Sequence, residues 1–459
     1  MEILAKYKKE SRVKRKTGIT YSRNKSEYQT AILVALAVFL GWRFVRPINI
    51  FVVSEAFERP IPTDRAKGMF KTLSAEECAA CHADFYAEWR TSIHSQAWTD
   101  PYFQADWRFD GEQQICKNCH TPLDRQQEHR VLGFHDKEKW DPILAPNPDF
   151  DPVLQHEGVT CAACHFRDGQ ILGPYGIDDA PHPVKKLEDP NQMCLRCHIV
   201  HGDRWDTFYR IPPCGTVAEI RAGAGTQNET GEGTFVPFEG RAGEIVSEDL
   251  KGFGCVQCHM PLVERHIVSG GEVRQTRRHL WRGGHDPERV KQGLKVALSE
   301  EPTSSGNKRR FTLTLTNVGA AHFLPTGTPD RHLTVALRLL DKNGAMLKEE
   351  RHTLKRMILW RPFIIDLWDS RLPFGEPRHL SLTLDAGTLS EEMAVEAVVR
   401  YHLLDEKRRK QIGYENEEPI AYEVFNQRTP IKPFNTLGNG ASTRTLASRP
   451  TGLPVCDFS

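Results

Sequence analysis

Five times in its 459 residues the chain reads Cys-x-x-Cys-His. The occurrences are Cys78-Ala-Ala-Cys81-His82, Cys116-Lys-Asn-Cys119-His120, Cys161-Ala-Ala-Cys164-His165, Cys194-Leu-Arg-Cys197-His198 and Cys255-Val-Gln-Cys258-His259. Nothing else in the sequence constrains the fold as tightly. The motifs start 38, 45, 33 and 61 residues apart. That is too close for a separate folded domain around each one, so all five must share a core. At this chain's cysteine and histidine frequencies chance would supply on the order of 0.01 such motifs. Structural disulfides do not repeat a two-residue spacing five times. Zinc sites use paired Cys-x-x-Cys but do not need a histidine after every second cysteine.

The pattern is the attachment signature for c-type haem. Two thiols reach the two vinyl groups on one edge of a porphyrin, and the adjacent imidazole reaches the iron from one face. A short turn leading into a helix does both. The sequence therefore predicts five covalently bound haem c groups, attached through Cys78, Cys81, Cys116, Cys119, Cys161, Cys164, Cys194, Cys197, Cys255 and Cys258. The proximal iron ligands are then His82, His120, His165, His198 and His259. The other two of the twelve cysteines, Cys214 and Cys456, lie outside any motif and read either as one disulfide or as two buried thiols. Fourteen of the 19 histidines remain for the opposite side of the irons, against seven methionines, so bis-histidine ligation is expected. A filled sixth site favours electron transfer, and an open one permits substrate binding.

The stretch Cys78-Ala-Ala-Cys81-His82-Ala-Asp-Phe-Tyr86-Ala-Glu-Trp89-Arg-Thr-Ser92-Ile-His94 resembles the opening haem segment of the cytochrome c-554 family. That family comprises multihaem electron carriers related to the hydroxylamine oxidoreductase cytochromes. Its Trp-x-x-Ser-x-His histidine ligates a haem, which implies the same role for His94. Glu157 to Cys161, Pro181-His182-Pro183-Val184, His279 to His285 and Asn317 to Gly327 are similar to segments of such proteins. They make His182, His279, His285 and His322 the other expected distal ligands. His129, His135, His156 and His266 are reserves. His201 is expected at the surface, and His332, His352, His379 and His402 are expected to be structural. The resemblance covers about residues 75 to 290. It departs from the tetrahaem members in the fifth motif, the apolar N-terminal segment and a further C-terminal region, so the family's pairing of ligands does not transfer.

The net charge of +1 gives no field for nucleic acid. It conceals nine Lys or Arg against three acids in residues 1–28, a net +6 that leaves −5 for the rest. After this basic tail, Ala31 to Trp42 carries no charge, Arg43 and Arg46 follow, and Ile48 to Val53 is apolar again. From Tyr28 to Val45 the chain is about long enough to span a bilayer as a helix. Arg43 lies near the far end, where it can snorkel, and Pro47 would stop the helix beyond it. The basic tail then stays in the cytoplasm and the remainder is exported. The competing reading is a cleaved signal, with a twelve-residue apolar core and small residues at Ser54 and Ala56. Both readings place the body of the protein in the periplasm.

The expected architecture is α+β and multidomain. Residues 1–28 form the tail, 29–53 a single-pass transmembrane anchor in the inner membrane, and 54–73 a linker. Residues 74–292 form a mostly helical and loop-rich multihaem domain, with Cys214 to Gly254 as an exposed excursion. From about Lys295 the texture changes, since Arg310 to Asn317 alternates strictly. His332–Asp341 and Ala345–Arg351 read as a hairpin turned at Asn343-Gly344. Strands at His379–Leu384, Ala394–Leu403 and Ala421–Phe425 complete an antiparallel β-sandwich of immunoglobulin-like size over 293–440, with a tail at 441–459. The expected function is electron transfer from a membrane or soluble donor to a periplasmic acceptor. Its partners are redox proteins and the membrane, the chain being either free-standing or a subunit of a larger membrane complex. The alternative is a multihaem oxidoreductase with one open iron, acting on a small nitrogen or sulfur compound.

Overall fold

The computed structural model describes residues 27–45, 59–66, 70–136, 139–176, 180–198, 207–208, 215–224, 255–302 and 307–432. The expectations for the basic tail, for 46–53, for the 225–254 excursion, for His201, Cys214 and Cys456, and for 441–459 lie outside them. Helix α1 (Glu27–Val45) is 19 residues of mean hydropathy 1.6, with no residue of its apolar window buried. Ile32, Leu33, Val38 and Val45 are each at least 65% exposed, so in water this helix would have no reason to form.

The motif region folds into short helices: α2 (Ala75–Ala79), α3 (Ala83–Trp89), α4 (Pro101–Phe109), α5 (Gln114–His120), α6 (Pro152–His156), α7 (Cys161–His165), α8 (Gln192–His198), α9 (Thr216–Ala224), α10 (Cys255–His259) and α11 (Pro287–Gly293). Five to nine residues is too short for a helix to persist alone, so each depends on local caps and tertiary contacts. Asp100, Asp151 and Asp286 accept hydrogen bonds from the first-turn amides of α4, α6 and α11. A proline follows each at the first helical position, where its missing amide costs nothing. Small sheets fill the gaps: β1 (His129–Phe134) with β2 (Pro142–Pro146), and β3 (Phe166–Arg167), β4 (Gln170–Gly173) and β5 (Val184–Lys186) together. Strand β6 (Thr207–Phe208) follows, then the pair β7 (Leu262–His266) and β8 (Val273–Arg277).

The C-terminal strands are β9 (Leu294–Pro302), β10 (Lys308–Asn317), β11 (His332–Leu340), β12 (Met346–Leu354), β13 (Arg356–Leu359), β14 (Ile364–Asp369), β15 (Pro377–Asp385), β16 (Ala394–His402) and β17 (Ala421–Pro430), with helix α12 (Glu406–Gln411) before the last. Antiparallel sheets β15-β10-β9 and β12-β11-β16-β17 face each other. Phe311, Leu313 and Leu315 of β10 share one core with Leu333, Val335 and Leu337 of β11 and Val395, Ala397 and Val399 of β16. The period-2 alternation read from the sequence is what buries these side chains on one face. The expected hairpin turns with Gly344 at φ +82°.

The two regions interlock rather than abut. The β13–β14 hairpin takes β6, from the motif region, as a parallel third strand. Arg408 of α12 pairs with Asp106 of α4 at 2.6 Å. Buried Arg371 bonds Glu219 of α9 at 2.6 Å and Asp369 at 2.7 Å. These contacts cross the change of texture at 292/293.

Candidate haem site

A helical turn places residues i, i+3 and i+4 on one face, and in α7 and α10 these are the two cysteines and the histidine of a motif. All five motifs present that face to a single cavity of about 2990 Å³. A drug-sized ligand pocket holds about 300–1,000 Å³, so this space suits several large groups. All ten motif cysteines, the five motif histidines, and His94, His182, His279, His285 and His322 line it. Of the reserves, His129, His135, His156 and His266 do not.

Four of the distal candidates face motif histidines across the cavity. Ring centroids are 6.4 Å apart for His82 and His182, 6.4 Å for His198 and His94, 6.0 Å for His165 and His279, and 6.3 Å for His259 and His322. Metal–imidazole bonds of about 2.0–2.1 Å, added to a ring radius of about 1.1 Å, put two rings bound on opposite sides of one metal about 6.3 Å apart. The four pairs therefore sit at the spacing one shared iron would impose.

The other ring nitrogens are already committed. Nδ1 of His82, His120, His165, His259, His279 and His322 lies 2.6–2.9 Å from the carbonyl oxygens of Ile267, Ala97, Leu172, Arg282, Arg277 and Phe323 respectively. Donation from Nδ1 leaves Nε2 as the free lone pair, the usual second-shell arrangement of a ligating histidine. His182 has no such partner among the described residues; its Nδ1 is buried and unbonded, a cost that a metal or an added donor would relieve. Burial favours the neutral, ligating form of His94, His120, His259 and His279. It drives His94 down to about 3, with the charges of His198 and His259 adding to the effect, and His120, His259 and His279 to about 4.

The fifth pair is different. His120 has the ring of Phe103 stacked on it, 3.6 Å away and 7° from parallel, and no histidine ring faces it among the described residues. His285 pairs with no motif histidine; its Nε2 lies 3.2 Å from Arg331 Nη2. Burial, helped by Arg331, lowers His285 to about 4.

The thiols report which attachment edges adjoin. The free thiol of Cys78 lies beside that of Cys161, that of Cys119 beside Cys197, and that of Cys194 beside Cys255. The first motif therefore meets the third, and the fourth meets both the second and the fifth. Burial pushes Cys116 up to about 12 and Cys164 to about 11, so these thiols are shielded from water. Nine motif cysteines are free. Cys258 is in a disulfide whose partner lies outside the described residues. That bond and a thioether at Cys258 exclude each other, so double attachment at the fifth motif requires it to open.

Sequence reasoning passed over the residues that aim these histidines. Trp281 sits between two of them, 4.8 Å from His94 and 5.1 Å from His279, at a left-handed φ of +43°. Such a backbone costs of order 1–3 kcal/mol and persists where packing enforces it. Glu88 accepts the His279 amide at 2.8 Å and pairs with Arg265 and Arg278. At Gly158, φ +61°, a Cβ would fall 2.8 Å from the His94 carbonyl oxygen, so only glycine lets the Val159 amide donate to it at 2.9 Å. Asn317 ties the loop that carries His322. In the strand region His332 stacks on His402 at 4.2 Å and His379 bonds Thr314.

Residues 77–141 match the family described as cytochrome c554 and c-prime. No curated protein matches the chain. Among solved structures, a penta-heme cytochrome c552 from Thermochromatium tepidum is similar at a TM-score of 0.53 and 19% identity, covering 78% of this chain and 98% of that one. A Bacteroides uniformis β-glucuronidase 2 aligns at a TM-score of 0.16 and 14% identity over 30% of this chain and 13% of its own, a likeness too slight to weigh. The matched segment, the shared fold and a cavity lined by repeated attachment motifs converge: the chain carries a segment of the cytochrome c554 and c-prime family and shares the fold of a penta-heme cytochrome.

Proposed function

We propose that the chain holds five haem c groups, one at each motif, and conducts electrons between a membrane or soluble donor and a periplasmic acceptor. In this reading α1 anchors it in the inner membrane, with the body of the chain outside the cytoplasm. Its partners are redox proteins, met either as a free carrier or within a larger membrane complex. The observation that carries the reading is the set of four histidine pairs at 6.0–6.4 Å. Bound haem supplies an iron that cycles between ferric and ferrous states. The chain's own residues do the rest. Paired imidazoles close both axial positions and keep small molecules off. Backbone carbonyls at Nδ1 fix ring orientation and raise ligand basicity. Contacts between Cys78 and Cys161, Cys119 and Cys197, and Cys194 and Cys255 bring the attachment edges together, with the fourth motif as the branch point.

The second reading, an oxidoreductase with one open iron, gains from one observation. His120 faces no histidine ring among the described residues, and His285 contacts Arg331 instead. A small nitrogen or sulfur compound would then meet the iron at the second motif.

Pyridine haemochrome assay with low-temperature electron paramagnetic resonance on the oxidised protein tests both. Five haems per chain and at least four low-spin irons are expected. A high-spin fifth would favour the second reading. A low-spin fifth that turns high-spin in His285→Ala would leave a pure conduit. Fewer than four low-spin irons would overturn the assigned pairs.

A further inference from the structure

We infer that the β13–β14 hairpin and β6 form a second membrane contact, a lipid-facing surface that seats the body of the protein on the bilayer beside α1. The inference rests on reading α1 as a retained anchor. A 19-residue helix rises about 28 Å, close to the roughly 30 Å hydrocarbon core, so its last turn lies at the far interface. Whatever touches that turn lies there too.

The hairpin tip is what touches it. Arg43 Nε donates to the Pro362 carbonyl oxygen at 2.9 Å, and Arg361 Nη1 donates to the Phe44 carbonyl oxygen at 2.5 Å. The second bond satisfies one of the carbonyls a helix leaves orphaned at its C-terminus. The Phe39 and Phe363 rings are 6.4 Å apart, and Phe208 of β6 stands 6.0 Å from Phe363. Phe39 lies six residues before the end of α1 at Val45, a rise of about 9 Å, so Phe363 reaches below the level at which α1 leaves the hydrocarbon.

Around this contact several large apolar side chains are exposed. Phe208 is 57% exposed, Trp368 52%, Leu367 50% and Leu359 39%, next to Trp42 and Phe44 of α1 at 44% and 53%. Leu367 and Trp368 are consecutive on β14, yet both are exposed, so neither face of the strand is covered at that point. Trp42 beside Arg43 at the end of α1 matches the aromatic belt and snorkelling cations found where membrane proteins meet headgroups. A bilayer interface satisfies both the rings and the guanidinium groups. Val45, Met357 and Trp360 also line the haem cavity, so the same face brings the margin of that cavity to the lipid surface.

The test uses the full haem-loaded chain in phosphatidylethanolamine–phosphatidylglycerol vesicles containing a trace of phospholipid with a diazirine near the glycerol. After illumination the protein is digested and adducts are mapped. Adducts in the 357–368 peptide and at Phe208, besides those in α1, are expected. The double variant Leu367→Asp, Trp368→Asp should lose the hairpin adducts while keeping those of α1 and an unchanged haem spectrum. Adducts on α1 alone in the unaltered chain would overturn the second contact and leave the anchor standing. Adducts on neither would remove the anchor, and the surface with it.

Discussion

Glu88 shows how one side chain reaches an iron it never touches. Burial alone would raise its carboxyl, but the His279 amide and the cations Arg265 and Arg278 outweigh that and hold it below its ordinary 4.5. A depressed folded value means that its stabilisation is complete above about pH 4.5 and is lost as pH falls through the folded value. Glu88→Gln should cost about 2 kcal/mol at neutral pH, the value of hydrogen bonds to a charged group. It should also flatten the dependence of stability on pH below 4.5, while the unaltered chain loses stability there. Denaturant melts from pH 3 to 7, followed by haem absorbance, check both. An unchanged acid slope would remove Glu88 from the support of His279. The motif histidines were legible because their spacing is fixed by porphyrin chemistry. Glu88 and Trp281 were not, because what they do depends on partners about 190 residues away in sequence, such as the 88–279 bond.

At the scale of elements, the loop between β10 and β11 carries His322 to the haem cavity. Asn317, fully buried, donates to the carbonyl oxygens of Ala320, His322 and Leu372 and accepts from the Ala320 amide. Its side chain thereby replaces the backbone ladder that ends at this residue. Asn317→Ala would leave several buried carbonyls unpaired, costing about 1–3 kcal/mol. We expect it to free His322 from its place opposite His259, so a high-spin iron signal should appear that the unaltered protein lacks. A variant that is destabilised but stays fully low-spin would mean that His322 is held by other contacts. Strands β10, β11 and β16 could be read from alternation because one face of each is buried. Hairpin β13–β14 could not, since it pairs with two residues from a distant segment and has no consistent buried face. Five-residue helices such as α7 complete too few turns to show a period, so in the motif region only the motifs themselves marked helix.

The molecule as a whole divides its stability unevenly. The sandwich core gathers 21 buried apolar residues, whereas the largest apolar cluster in the motif region has six, among them Ile61, Leu123 and Phe166. The middle of that region is the cavity, about 2990 Å³, lined by the motif thiols and imidazoles. Apolar area removed from water is worth about 25 cal/mol per Å², and here most of that area is there to be covered by porphyrin rather than by side chains. The sequence announced this through its motif count, but not through hydropathy, because a cofactor core leaves no alternating pattern. Folding of the motif region should therefore depend on haem attachment, and folding of the sandwich should not. Chain made without the attachment machinery, or with every motif cysteine changed to serine, should be cut rapidly by protease between residues 59 and 292. A resistant fragment of about residues 294–432 should remain, identified by mass. The haem-loaded chain should resist cleavage across the described parts of both regions. Equal resistance of the two regions in the haem-free chain would mean that the cavity is held open by protein contacts alone, and the division of stability argued here would be wrong.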